Sequence, residues 1–398
     1  MRIVFLVESL QLAGAERVVL ELAQAGRRKG HETPIVTLRD IHALDGSQYQ
    51  DILRLPLFRR GEFLWPKSAL LASWRLRTVL ACLRPDVLAI HTPKAAEIAA
   101  LAGVKFPALW VLHGHDVCWD GATARGRLSR ALQRWTRRRL GGHVAAVSPS
   151  LAGHAAVGLG MAREEIAVIP NGVDTERFRF EARTPGRDPV VCVLGRLIPS
   201  KGPMKALDAF GLLRKEFPAA RLWFVGDGPM RKKLAAEVVA RGWNQAATLW
   251  GNLPQPEERL REATFLWMPS ESEGLPVACV EAMASGVPVL GFDVRGVHDL
   301  LQGGCGVLVP PKDARGLAEQ TAALVRDGSM YRAIARAALA RVNQHYTLER
   351  MCAGHYELMR SLCGGREAPG HSLLPDAADV AEMAASHAGS DANATDGN

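Results

Sequence analysis

Close cysteine pairs are absent from this sequence, and that removes two kinds of architecture at once. The seven cysteines, at 82, 118, 192, 279, 305, 352 and 363, are scattered and odd in number. They suggest neither a zinc site nor a disulfide framework, and a reducing cytoplasm suits them. There is no Asp-x-Asp pair, and Gly226-Asp227-Gly228-Pro229 lacks the third glycine of a dinucleotide fingerprint. Long apolar runs are missing too. Residues 140–162 contain no Asp, Glu, Lys or Arg, but five glycines, Pro149, Ser148, Ser150 and two histidines break the stretch. Strand, turn and small-residue helix is the better reading, and no membrane-spanning helix is expected. Glu8 and the helical pattern after it spoil a signal-peptide reading of residues 1–10.

What is present is enough apolar residue for two cores: 48% hydrophobic and 23% charged over 398 residues, a soluble globular composition long enough for two domains. Residues 366–398 carry one Arg and six acids, so the net +8 of the chain hides +13 over residues 1–365, of which +9 lies in residues 1–170. A basic first domain suggests an anionic partner: a phosphorylated substrate, an acidic membrane surface or nucleic acid. A merely solvated basic surface is the plainer alternative.

A buried-strand run at residues 2–7 is followed by a loop and a helix from 15 to 28. Strand-like runs at 33–38, 86–91, 107–112, 143–147 and 166–169 then alternate with helical stretches at 68–83, 93–102, 125–140 and 149–160. After a polar linker opening at Asn171-Gly172-Val173-Asp174 the pattern restarts, with strands at 190–194, 221–225, 248–250, 264–268, 287–291 and 307–309 and helices at 201–217, 229–241, 276–285 and 313–326. Such alternation predicts an α/β fold with two parallel, doubly wound sheets and a ligand cleft at the strand C-termini. The domains expected are 1–170, 171–345, a closing helix over 346–364 that packs back on the first domain, and a disordered tail at 365–398.

The strongest chemical signal runs from Pro269 to Pro288. A strand ends at Pro269, a tight loop carries Glu273 and Gly274, and Leu275, Pro276 and Val277 open a helix. A helix start offers free N–H groups and the positive end of the dipole, which suits a pyrophosphate. Gly274 lets backbone approach a ligand closely. Glu281 lies five residues beyond Pro276, about 7.5 Å along the axis, so one acid can serve a sugar and the other a ribose. An ordinary helix with a solvated Glu281 is the blander alternative. Arg196 and Lys201 flank another strand-to-helix loop, Gly14 follows the first strand, and His113 ends the apolar run 107–112. His115 and Asp116 lack an evident third ligand, so no metal is assigned.

These segments together resemble family 4 of the retaining glycosyltransferases (glycosyl transferases group 1), which have the GT-B fold of two Rossmann-like domains facing an interdomain cleft. The resemblance rests on Glu273-Gly274-Leu275-Pro276, on Glu281-Ala282-Met283-Ala284 with Gly286 and Pro288, on Ala13-Gly14-Ala15-Glu16, and on His113-Gly114-His115-Asp116. Gly195-Arg196-Leu197 with Lys201-Gly202, Gly226-Asp227-Gly228-Pro229 and residues 169–174 match in order. It covers about residues 1–362; where the family more often has two glycines, this chain has Ala13-Gly14. The resemblance implies that Arg196 and Lys201 contact the donor pyrophosphate, replacing a divalent metal. It also implies that Glu273 holds donor-sugar hydroxyls, that Glu281 holds the ribose, and that His113 lies by the transferred sugar.

The expectation is therefore a retaining, metal-independent transferase without cofactor. Its donor is a nucleotide sugar, with UDP as default, and its acceptor is a glycan or lipid-linked glycan of polysaccharide synthesis. Rival readings are a silent sugar-nucleotide-binding protein and a nicotinamide-dependent oxidoreductase. The Arg-rich segment 125–139 places Leu128, Ala131, Leu132 and Trp135 on one helical face. That face is expected to pack on the sheet, while the arginines leave open a peripheral site on the inner face of the cell membrane. Sparse aromatics along the stretch argue against nucleic acid.

Overall fold

The computed structural model describes residues 1–10, 14–39, 54–58, 67–114 and 123–364. His115, Asp116, Ala13 and the tail 365–398 lie outside the described residues. The first half builds β1 (Ile3–Val7), α1 (Gly14–Arg28), β2 (Ile35–Thr37), β3 (Arg54–Pro56), α2 (Ala69–Leu83), β4 (Val87–Ile90) and α3 (Pro93–Ala102). It continues with β5 (Ala108–Leu112), α4 (Ala124–Leu140), β6 (His143–Ala146), α5 (Pro149–Leu159) and β7 (Ile166–Val168). The seven strands form one parallel sheet in the order β3-β2-β1-β4-β5-β6-β7. The order reverses between β1 and β4, which opens a crevice at their C-terminal ends. The strand β3, absent from the sequence reading, sits at the sheet edge, the position in a sheet that tolerates a proline such as Pro56.

The second half follows the same plan. It runs β8 (Val190–Leu194), α6 (Pro203–Glu216), β9 (Arg221–Val225), α7 (Arg231–Ala240), β10 (Ala247–Gly251), α8 (Pro256–Glu262) and β11 (Phe265–Met268). Then come α9 (Val277–Ala284), β12 (Val289–Phe292), α10 (Val297–Leu301), β13 (Val307–Val309), α11 (Ala314–Arg326) and α12 (Gly328–His345). Its parallel sheet has the order β10-β9-β8-β11-β12-β13, reversing between β8 and β11. The loops that leave β8 and β11 therefore flank one crevice, and they carry Arg196, Lys201, Glu273 and Gly274.

The chain crosses between the halves twice, side by side. Val173 accepts from Leu348 N–H and donates to the Tyr346 carbonyl, both at 2.9 Å. A Cβ on Gly172 would lie 2.2 Å from the Thr347 carbonyl oxygen, so only glycine fits at this crossing. Beyond it α13 (Leu348–Cys363) packs Met351, Cys352, Tyr356 and Met359 into the core shared by β1 and α1. The Tyr356 hydroxyl donates to the Leu22 carbonyl at 2.7 Å.

One expectation fails at α4. Its apolar face does not pack on the sheet: Leu128, Leu132 and Trp135 are 73%, 37% and 42% exposed, while Gln133 and Thr136 are buried. The spacing of apolar residues finds an apolar stripe but not the side of the helix that turns inward. Here Gly126 and Leu140 are the nonpolar residues on the buried side, and the layer of helices accepts that narrow face. Among the described residues no helix is long and apolar enough to cross a membrane.

Candidate active site

The turn after β8 is shaped by glycine. A Cβ on Gly202, at φ +65, would meet the Pro269 carbonyl oxygen at 2.0 Å, so the end of this turn lies directly against the end of β11. Gly226, at φ +133, stacks in the same way on the Gly195 carbonyl. This closeness brings Lys201 to the loop after β11, where its Nζ donates to Glu273 Oε1 at 2.5 Å and to Oε2 at 2.6 Å. The Glu273 side chain is only 6% exposed. A carboxylate that deep would cost several kcal/mol without a partner, so the pair is required by burial as well as by geometry.

The same loop touches the other half of the molecule. A Cβ on Gly274 would sit 2.1 Å from the His113 carbonyl oxygen, which brings the end of β5 against the loop. Asn171 Nδ2 donates to the Leu275 carbonyl at 3.0 Å. Pro276 caps α9 from outside its first turn, and the first N–H groups of α9 have no partner within the helix. Opposite stands the start of α1, where a Cβ on Gly14 would lie 3.3 Å from Val277 Cγ2. Further along α9, the buried Glu281 is ion-paired with Arg17 of α1. Arg196 is exposed. It faces Glu16, whose carboxyl burial pushes up to about 7 while Arg196 pulls it down.

At the ends of β4 and β5 two imidazoles share a hydrogen bond, His91 Nδ1 to His113 Nε2 at 2.9 Å. A third, His355 of α13, has its ring 6.4 Å from that of His91 and donates from Nδ1 to the Met351 carbonyl at 2.9 Å. Burial drives all three toward the neutral form: His113 falls to about 3, His355 to about 4, and His91 well below its ordinary value.

Residues 12–177 match the family described as Glycosyltransferase Family 4, and residues 174–341 match Glycosyl transferases group 1. The chain belongs to this glycosyltransferase family. Its fold is GT-B: it superposes on HepE of Anabaena, solved in complex with UDP and glucose, with a TM-score of 0.76. That match has 22% identity and covers 91% of this chain and 100% of HepE. The exopolysaccharide phosphotransferase of Streptomyces coelicolor is 32% identical over 177 residues, 44% of this chain. The glycogen synthase of Mycobacterium tuberculosis is 28% identical over 273 residues, 66% of this chain. The chain spans 18% of the length of the first of these relatives and 66% of the second.

In this family member, Lys201, Glu273, Gly274, Leu275, Pro276, Val277, Glu281, Gly14 and the carbonyl of His113 come together in one cleft. Arg196 stands at its edge across from Glu16. Sequence reading did not single out Arg17, Glu16, His91 or His355. Arg17 directly follows the Ala13-Gly14-Ala15-Glu16 segment, and that adjacency was the signal available. Among the described residues no group of three His, Cys, Asp or Glu could hold a metal ion.

Proposed function

We propose that the protein transfers a sugar, with retention at the anomeric carbon, from a nucleotide-sugar donor to a glycan or lipid-linked glycan. UDP is the default donor base, and the titles of the HepE structure and of the polysaccharide-related relatives support that direction. The observation that carries the reading is the Lys201–Glu273 pair beside the open start of α9, closed from the other domain by the His113 carbonyl. An arriving pyrophosphate competes for Lys201, takes the α9 N–H groups and Arg196, and releases Glu273 to accept from sugar hydroxyls. Glu281 is placed to receive the ribose in exchange for Arg17.

As the bond from the anomeric carbon to the diphosphate oxygen breaks, negative charge grows on the leaving group, where Lys201, Arg196 and the helix start already stand. The acceptor oxygen enters from the same face and its proton passes to the departing phosphate. Charge neutralisation by these two cations is the reason no metal or other cofactor is invoked. Release of nucleoside diphosphate from a panel of donors, with and without glycan acceptors, tests the activity. Glu273→Gln should lower turnover at least about 100-fold while leaving the fold intact. Near-normal turnover would remove its role, and no release from any donor would favour a silent binding protein.

A second observation favours a membrane-bound acceptor. The outward face of α4 presents Leu128, Leu132 and Trp135 beside the exposed Arg127, Arg138 and Arg139, and the helix contains no acid. In α2, two positions over in the same helical layer, Leu70, Leu71 and Trp74 are exposed, again without an acid. Apolar and aromatic side chains framed by arginine fit the interface of an anionic bilayer.

A further inference from the structure

Of the three clustered histidines, sequence reading gave a role only to His113. The other two decide what His113 can offer. The His91 ring is 2% exposed, and its Nε2 has no partner among the described residues. A proton there would be an orphaned buried N–H, the rarest of unsatisfied groups, whereas a bare lone pair is tolerated more often. The proton of neutral His91 therefore belongs on Nδ1, and Nδ1–H is the donor in the 2.9 Å bond to His113 Nε2. That bond makes His113 Nε2 an acceptor, so the proton of neutral His113 rests on Nδ1. His355 carries the same tautomer, because only Nδ1–H can donate to the Met351 carbonyl. Free histidine in water prefers its proton on Nε2, so all three rings are held in the minor form.

We propose that His91 is a positioning residue that locks His113 as the Nδ1–H tautomer, making that N–H the one hydrogen-bond donor the ring can give to a donor-sugar hydroxyl. His113 Nδ1 has no protein partner among the described residues. It belongs to the residue whose carbonyl lies against Gly274, at the seam between the domains. A neutral donor suits this place. It can hold a sugar hydroxyl without setting a full positive charge beside an anomeric carbon that becomes electron-poor as its bond to the diphosphate breaks. His355 supports the arrangement from α13, its ring stacked on His91 and its own lone pair turned to the cluster interior. The catalytic consequence rests on the glycosyltransferase reading; the tautomer does not.

Nitrogen-15 labelling of the histidine rings in the full chain reads the tautomers directly, without donor. The expected spectrum shows His113 with a protonated Nδ1 and an unprotonated, hydrogen-bonded Nε2. His91→Phe should shift His113 toward the Nε2–H form, and His91→Asn, whose amide N–H can stand where Nδ1–H stood, should restore the native pattern. In transfer assays His91→Phe should lose about 100-fold in kcat with little change in donor KM, and His91→Asn should recover most of that loss. A wild-type His113 protonated on Nε2, or a His113 tautomer unchanged in His91→Phe, overturns the proposal. So does equal turnover by the Phe and Asn variants. A wild type inert toward every donor would instead sink the transferase reading and leave the ring assignment standing.

Discussion

Three imidazoles packed without a counter-ion make the stability of this protein depend on acid. In the folded chain His113 and His355 take up protons only near about 3 and about 4, against an ordinary value of 6.5. Between those values and 6.5 the unfolded chain binds more protons, so stability rises with pH through that window and is complete above it. Chemical denaturation of the wild type should therefore show a midpoint that falls as pH drops from 7 to 5. His355→Gln should flatten that slope; a variant slope as steep as the wild type's would remove the histidine cluster as its cause. At this scale the sequence made the acids legible, because Glu273 and Glu281 stand at fixed distances along one loop and helix. Their partners were not legible. Arg17 lies 264 positions before Glu281, and His355 is brought to His91 only by the return of α13. No local spacing encodes pairings made by tertiary contact.

Helices and strands with strong periodicity were legible, and the alternation of the two gave both sheets. The short pieces β3, α8 and α10 were not, because three to seven residues hold too few apolar positions to show a period. The element that sequence misjudged, α4, is also the one that points outward. Its packing face holds Gln133 and Thr136, and Arg134 is spent on the α5 carbonyls of Val157 and Gly158, both at 3.0 Å. A Leu128→Ser, Trp135→Ser double variant should therefore keep the wild-type melting temperature, since those side chains are already solvated. It should also lose binding to vesicles containing anionic lipid, with neutral vesicles as the control. A clear drop in melting temperature would mean that the face is packed after all. Equal vesicle binding by variant and wild type would end the membrane reading, and preference for an oligonucleotide over vesicles would replace it.

Over the whole molecule, two parallel sheets turn their switch points toward one cleft, and contacts across it hold the halves together. Ser150 Oγ donates to Asp299 at 2.5 Å, Arg17 reaches Glu281, and Gly274 rests on His113. The paired crossings at 173 and 347 form the seam where the chain passes from one half to the other. Two of these contacts use groups assigned to the donor, so occupancy of the site and association of the halves are linked. A ligand that binds the folded state stabilises it by RT ln(1 + [L]/Kd). The central claim is that a nucleoside diphosphate sits between Lys201 and the start of α9, while Glu273 serves the sugar beyond it. Calorimetric titration of UDP, GDP and ADP into the wild type, Lys201→Ala and Glu273→Gln tests it most directly. The account predicts that one diphosphate binds the wild type, that Lys201→Ala weakens it by about 30-fold, or about 2 kcal/mol, and that Glu273→Gln leaves it within a few-fold. Undiminished binding by Lys201→Ala, or no binding of any of the three by the wild type, would contradict it.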